Sequence, residues 1–199
     1  MLWGERGPTD YDQRHFAVIG GVWNLSYYNG GSALSRQILN GWTIAPIVTL
    51  KSGLPVNILT GSDKNCDGYT TDRPNGVAGA DPFLDPHRSR QTAAAEWFNT
   101  AAFIPNGPGQ PGGIGPDGAD GDVGRDFLRA FGYKDIDLGL YRTISVDRYA
   151  LQLRGEATNV FNMVSLAAPT ANLASDNNGK ILGAQGSQRV IQLGVKFTF

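Results

Sequence analysis

The ending SQRVIQLGVKFTF (Ser187 to Phe199) alternates without a fault from Val190 onward. Ile191, Leu193, Val195, Phe197 and Phe199 form an apolar row, and Gln192, Gly194, Lys196 and Thr198 a small or polar one. A period of two is the signature of a strand, and one apolar row requires two different surroundings on its two sides. Chain ends are ordinarily loose, so a strand carried to a final aromatic residue needs a neighbour to pair with.

Four earlier stretches read the same way, each longer than an average strand. They lie near residues 14–28, 41–53, 133–146 and 148–161, with the last strand near 188–199. In the fourth, Tyr149, Leu151, Leu153, Gly155, Ala157 and Asn159 oppose Arg148, Gln152, Arg154, Glu156 and Thr158. In the third, Ile136, Leu138, Leu140, Ile144 and Val146 oppose Asp135, Asp137, Tyr141 and Thr143. Arg142 interrupts that apolar row, which predicts that it snorkels toward a headgroup layer. In the second, Trp42, Ile44, Val48 and Leu50 oppose Thr43, Thr49 and Lys51, and the central Pro46 points to an edge or a bulge. The first stretch is apolar on both sides, so its facing stays open.

The connections alternate between short and long. About a dozen residues join the first two strands, roughly eighty (54–132) follow the second, one separates the third from the fourth, and about twenty-five (162–187) precede the last. That is the up-and-down rhythm of a membrane barrel, with short turns on one side and long loops outside. In a compact soluble domain an eighty-residue connection would count against the strands. With the short connections on one side, Tyr27, Tyr28, Trp42, Tyr149, Phe197 and Phe199 gather at one depth, the composition of an interfacial girdle. Lys51, Arg148, Gln152, Arg154, Glu156, Thr158, Gln192 and Lys196 then face the lumen, because charges facing lipid are costly. A soluble β-sandwich with the same alternation is the competing reading.

Composition narrows the rest. The net charge of −1 supplies no basic field for nucleic acid. The single cysteine, Cys66, excludes an intramolecular disulfide. No apolar run reaches the roughly 18 residues of a spanning helix, which does not exclude a membrane, since barrels cross with strands.

Six segments in order resemble the C-terminal part of TonB-dependent outer-membrane receptors, in particular the Oar-like group with a carboxypeptidase-regulatory-like domain. They are NGWTIAPIVTLKSGLPVNILTG (Asn40 to Gly61), DGYTTDRPNGV (Asp67 to Val77), WFNTAAF (Trp97 to Phe103), DVGRDFLRAFGYKDIDLGLYR (Asp122 to Arg142), LQLRGEATNVFN (Leu151 to Asn162) and the ending QLGVKFTF. The resemblance implies an all-β, antiparallel up-and-down barrel of about 22 strands with a plug, of which this chain supplies about five strands and two external loops. It implies insertion in the outer membrane and energy from the TonB complex, reached through an N-terminal part that the chain lacks. It also implies uptake of a small-molecule or peptide ligand. On this reading the chain is a fragment of a longer protein or a truncated product, inactive in transport alone. Val195, Phe197 and Phe199 resemble the signal read by the barrel-assembly machinery.

Two further expectations concern sites. DKNCDG sets Asp63, Asn65 and Asp67 at alternate positions before Gly68, like the first half of a calcium loop. Pro74 stands where the bidentate glutamate belongs, with Asp72 as a substitute, so a solvated turn competes with a weak Ca2+ site. AAAEWFNTAAF (Ala93 to Phe103) reads as a short helix whose aromatics Trp97, Phe98 and Phe103 pack within the long loop, with covering the barrel mouth or contacting a ligand as the alternative. Catalysis has no pattern to support it: His15 and His87 are far apart, and no nucleophile elbow or phosphate-cradling loop occurs. Besides a receptor, the chain fits a surface-structural or adhesive protein that uses the barrel as an anchor.

Overall fold

The computed structural model describes residues 6–64, 68–106 and 121–199. The chain forms two compact units. One comprises His15–Lys51, Tyr133–Ser165 and Gln185–Phe199, and the other Met1–Arg14, Ser52–Gly132 and Leu166–Ala184. Among the described residues no helix is long and apolar enough to cross a membrane.

The first unit is an open antiparallel sheet. Its strands are β1 (Phe16–Gly20), β2 (Trp23–Leu25), β3 (Trp42–Lys51), β4 (Tyr133–Val146), β5 (Tyr149–Thr158) and β6 (Val190–Thr198). The order is β1 and β2 end to end along one edge of β3, then β4, β5 and β6. Five predicted strands are thus six, because the first stretch is broken at Gly21 and Val22. Pro46 explains the break. Gly20 pairs with Ile47 and Trp23 with Ile44, so one register runs through the gap. Gly21 N–H still reaches the Pro46 carbonyl at 3.2 Å. Proline has no N–H to return, and the ladder opens there. An antiparallel residue aims both backbone groups at the same neighbour, so the β4 side loses nothing. Pro46 therefore sits inside the sheet, paired with Leu138, and the defect predicted for its own strand appears in the next one.

The ends of β5 are set by two residues in the left-handed region. Asp147 (φ 51°) turns the two-residue hairpin between Val146 and Tyr149. Asn159 (φ 47°) ends the strand three residues earlier than its alternation predicts. Its buried side chain donates to the Met163 and Ser187 carbonyls and accepts from Met163 N–H, at 2.7–2.9 Å. The short connection after β2 holds a helix that alternation did not reveal, α1 (Ala33–Leu39), capped by Ser32 Oγ accepting from Ser35 N–H.

The second unit joins both long connections in one core. Val56, Ile58, Phe98, Ala102, Phe103, Val123 and Leu128 form a buried cluster, with Phe98 and Phe103 edge to face at 5.7 Å. The second connection is bonded to the first: Leu59 N–H donates to the Ala171 carbonyl, Leu173 N–H to that of Leu59, and Ile181 N–H to that of Ala94. The segment 72–75, DRPN, is buried and accepts backbone bonds from Thr60, Gly121 and Val123. Helix α2 (Arg90–Ala95) and a 3-10 turn (Thr100–Ala102) present Phe98 and Phe103 to the core, as the clustered aromatics predicted. The neck of the eighty-residue connection is pinned, Pro55–Val56 pairing with Leu128–Arg129. Gly53 is required there, since a Cβ would lie 1.8 Å from the Ala130 carbonyl oxygen.

Phe98 fills the centre of this cluster, so Phe98→Ala is expected to cost the unit about 3–5 kcal/mol. Hydrogen exchange will show it as loss of protection at the Leu59, Thr60 and Ala130 amides, with the β4–β5 amides unchanged.

Candidate functional site

Antiparallel partners share a face, so the register assigns every side chain of the sheet. One face carries Ala17 and Ile19 from β1, Trp23 and Leu25 from β2, and Trp42, Ile44, Pro46, Val48 and Leu50 from β3. It continues through Ile136, Leu138, Leu140, Arg142 and Ile144 of β4, then Leu151, Leu153, Gly155 and Ala157 of β5. Ile191, Leu193, Val195 and Phe197 of β6 complete it. Much of this face is bare: Leu193 is 81% exposed, Val195 71% and Ile19 63%. A contiguous apolar surface of six strands is far beyond the scattered apolar residues of a soluble monomer.

The facing left open for the first stretch is thereby settled. Phe16 and Val18 lie on the opposite face, paired with Lys51 and Thr49. Phe16 is tolerated among polar neighbours because the Lys51 ammonium lies over its ring at 5.2 Å and over Tyr133 at 5.4 Å.

The polar face is hydrogen-bonded across strands. Tyr141 donates to Glu156 Oε1 at 3.0 Å, with its ring over the space left by Gly139. Gln152 donates to Thr143 Oγ1 at 3.3 Å and accepts from Arg154 Nε at 2.7 Å. Arg154 and Glu156 do not pair with each other; each finds a neutral partner instead. Arg154, Glu156, Gln192 and Lys196 border a shallow depression over Gly194. Seven of the eight residues predicted for the lumen stand on this face. Arg148 stands in the hairpin turn, stacked on Tyr149 at 5.1 Å.

Of the girdle aromatics, Tyr149, Phe197 and Phe199 stack in series, with centroids 5.9 and 6.1 Å apart. Trp42 lies at the same end of the sheet, and Tyr27 and Tyr28 lie just past the end of β2. Arg142 does not reach outward as expected. It is buried, with its guanidinium over Trp42 at 5.3 Å, and donates to the Ile38 and Asn40 carbonyls at the end of α1. A cation on an apolar face is retained because orphan carbonyls of the helix take up its donors.

In the loop unit, the calcium expectation meets a partial structure. Asn65 and Asp67 lie outside the described residues. Asp63 Oδ2 accepts from Gly68 N–H at 2.9 Å, and buried Asp72 accepts from Lys64 N–H through Oδ2. Among the described residues no cluster of three or more acidic, histidine or cysteine side chains could hold a metal.

Asp126 ends the acid- and glycine-rich stretch PDGADGDVGRD, which by sequence reads as an external loop that could contribute ligands and does not mark Asp126 individually. Its side chain is 2% exposed, and Arg125 Nε lies 3.4 Å from its Oδ2, which accepts no hydrogen bond. It borders a polar cavity of about 490 Å³ with Asp10, Asn57, Arg73 and Arg125. Burial, with Asp10 adding to it, holds its carboxyl above the usual range, and Arg125 only partly offsets this.

Two outcomes follow. In lipid, a spin label at Leu151 is expected to be quenched by a lipid-dissolved collider and one at Gln152 by an aqueous one; equal access would break the two-face assignment. A raised carboxyl pKa weakens the fold as pH climbs through it, because the unfolded chain releases the proton more readily. Asp126→Asn suits the φ of 54° and is expected to raise amide protection around Leu128 at pH 7, with the gain gone below the ordinary aspartate pKa.

A family model described as "Outer membrane beta barrel domain" matches residues 1–192. No curated protein and no solved structure matches the chain. The match covers nearly the whole chain and explains the bare apolar face, which a sandwich would have to cover. The chain belongs to the outer membrane beta-barrel domain family, and its place is the outer membrane.

Proposed function

We propose that the chain forms the closing strands and two external loops of a TonB-dependent receptor that takes up an organic nutrient, as part of a longer protein and without catalysis of its own. The observation that carries this reading is the loop unit. An anchor needs only to end its strands, whereas here roughly a hundred residues between strands build a core of their own with two cavities. The six ordered segments that resemble Oar-like receptors support the same reading. In it the loops face outward, the polar row around Tyr141, Gln152, Arg154 and Glu156 borders a wet lumen, and β6 pairs with the first strand of the complete barrel. An edge left open in hydrocarbon would leave its backbone groups unpaired. The partners of this reading are the barrel-assembly machinery, reading Val195, Phe197 and Phe199, and the TonB complex.

The adhesive reading separates from this one by energy dependence. Deleting the gene is expected to abolish uptake of at least one compound from a panel of labelled organic nutrients, and deleting the TonB-type energy protein is expected to do the same. Uptake that survives both deletions, with loss of surface attachment, would replace the receptor by an anchor.

A further inference from the structure

The loop unit holds a second cavity, of about 480 Å³, for which no occupant has been named. Its size suits a small organic molecule. Its walls are aromatic: Phe83 and Phe127 lie 5.5 Å apart at 35°, and Trp97 and Phe131 5.8 Å apart at 61°. Trp97 is fixed by its Nε1 donating to the Arg129 carbonyl at 2.8 Å. Phe83 and Phe127 keep 58% and 40% of their surface exposed, so two rings wait at the cavity without an apolar cover.

Charge completes the description. Arg14, Arg88, Arg90 and Arg129 border the cavity, against one lining carboxylate, Asp85. Arg129 is neutralised by Asp12, which also lies 3.9 Å from Arg14. Arg88 is different. Its Nε, Nη1 and Nη2 donate to the carbonyls of Asp85, Glu96 and Trp97 at 2.7–3.2 Å. Three neutral acceptors hold the guanidinium rigidly and leave its charge uncompensated. Arg90, at the start of α2, makes no hydrogen bond or ion pair among the described residues and adds a second free charge at the rim. Asp85 is engaged with His87 at 3.1 Å.

We infer that this cavity binds an organic anion with a flat aromatic body, a carboxylic acid of one or two fused rings. The ring lies between Phe83, Phe127 and Trp97, where offset and edge-on contacts are favourable. The carboxylate meets Arg90 and the fixed positive field of Arg88, a charge-assisted contact of planar groups. A neutral aromatic would leave both guanidiniums unanswered, and an aliphatic anion would forgo the ring contacts. The inference rests on the loop unit's geometry alone, and direct binding tests it apart from transport.

The probe is 6-fluoro-2-naphthoate, followed by fluorine NMR line broadening with outer-membrane vesicles carrying the full-length protein, and with vesicles lacking it to subtract partition into lipid. Saturable broadening that unlabelled 2-naphthoate reverses and 2-naphthylmethanol does not is the expected result. Arg90→Gln and Phe83→Ala, both exposed and outside the core, are each expected to weaken binding about tenfold, the loss of one charge-assisted or ring contact. Absence of saturable broadening, equal competition by the alcohol, or affinity unchanged in both variants would overturn the assignment. Naphthoate binding intact while uptake survives deletion of the gene would overturn the transport reading and leave this one standing.

Discussion

A peptide group in hydrocarbon has no water to bond, so each must find a partner in the chain. That constraint decides the sheet. Pairing fixes the register, the register gives partners a common face, and the face decides which side chains meet lipid. One slipped residue would turn every leucine of a strand toward water and every arginine toward lipid. The long pairings of β3 with β4, β4 with β5 and β5 with β6 therefore carry both the geometry and the solvation of the unit. Its apolar face needs no second layer, because lipid is the layer.

Where the alternation is strict, the fold was legible from the residues alone. The third, fourth and fifth predicted strands agree with β4, β5 and β6 to within three residues at each end. Failures occur where a polar or apolar label misstates what a side chain does. Phe16 and Val18 blurred the first stretch because an aromatic ring under Lys51 is at home on a polar face. Pro46 looked like an edge residue, but both its backbone groups aim at one neighbour, so the cost falls on that neighbour. Arg142 looked like a headgroup anchor until the ends of α1 supplied carbonyls for it. Each answer depends on a residue far away in sequence, which no local period contains.

The loop unit was the least legible part, and for a reason of scale. Its core residues come from positions as distant as Val56, Phe98 and Val123, with no regular period to link them. Long loops are usually read as surface and entropy. Here the loop ends are bonded to each other at the neck, and those bonds offset part of the closure cost. The buried DRPN segment then serves as an internal template whose carbonyls take bonds from two other segments, at Thr60 and at 121–123. Of the candidate sites, the calcium spacing was visible as a motif, but Asp72 is engaged with a backbone amide. Asp126, which no spacing singled out, is a buried carboxylate whose Oδ2 lies near Arg125 and accepts no hydrogen bond.

These two designs share one chain without sharing a source of stability. In the sheet, stability comes from backbone bonds and lipid contact, and side chains have to keep their side. In the loop unit, stability has to come from close packing around Phe98 and from hydrogen-bonded buried polar groups. Selection can then act on the second without disturbing the first. A cavity bordered by Phe83, Phe127 and Arg90 can change its walls through exposed residues outside the core, while the register that keeps the barrel in the membrane stays untouched. The unit with the irregular sequence is for that reason the one suited to choosing a ligand.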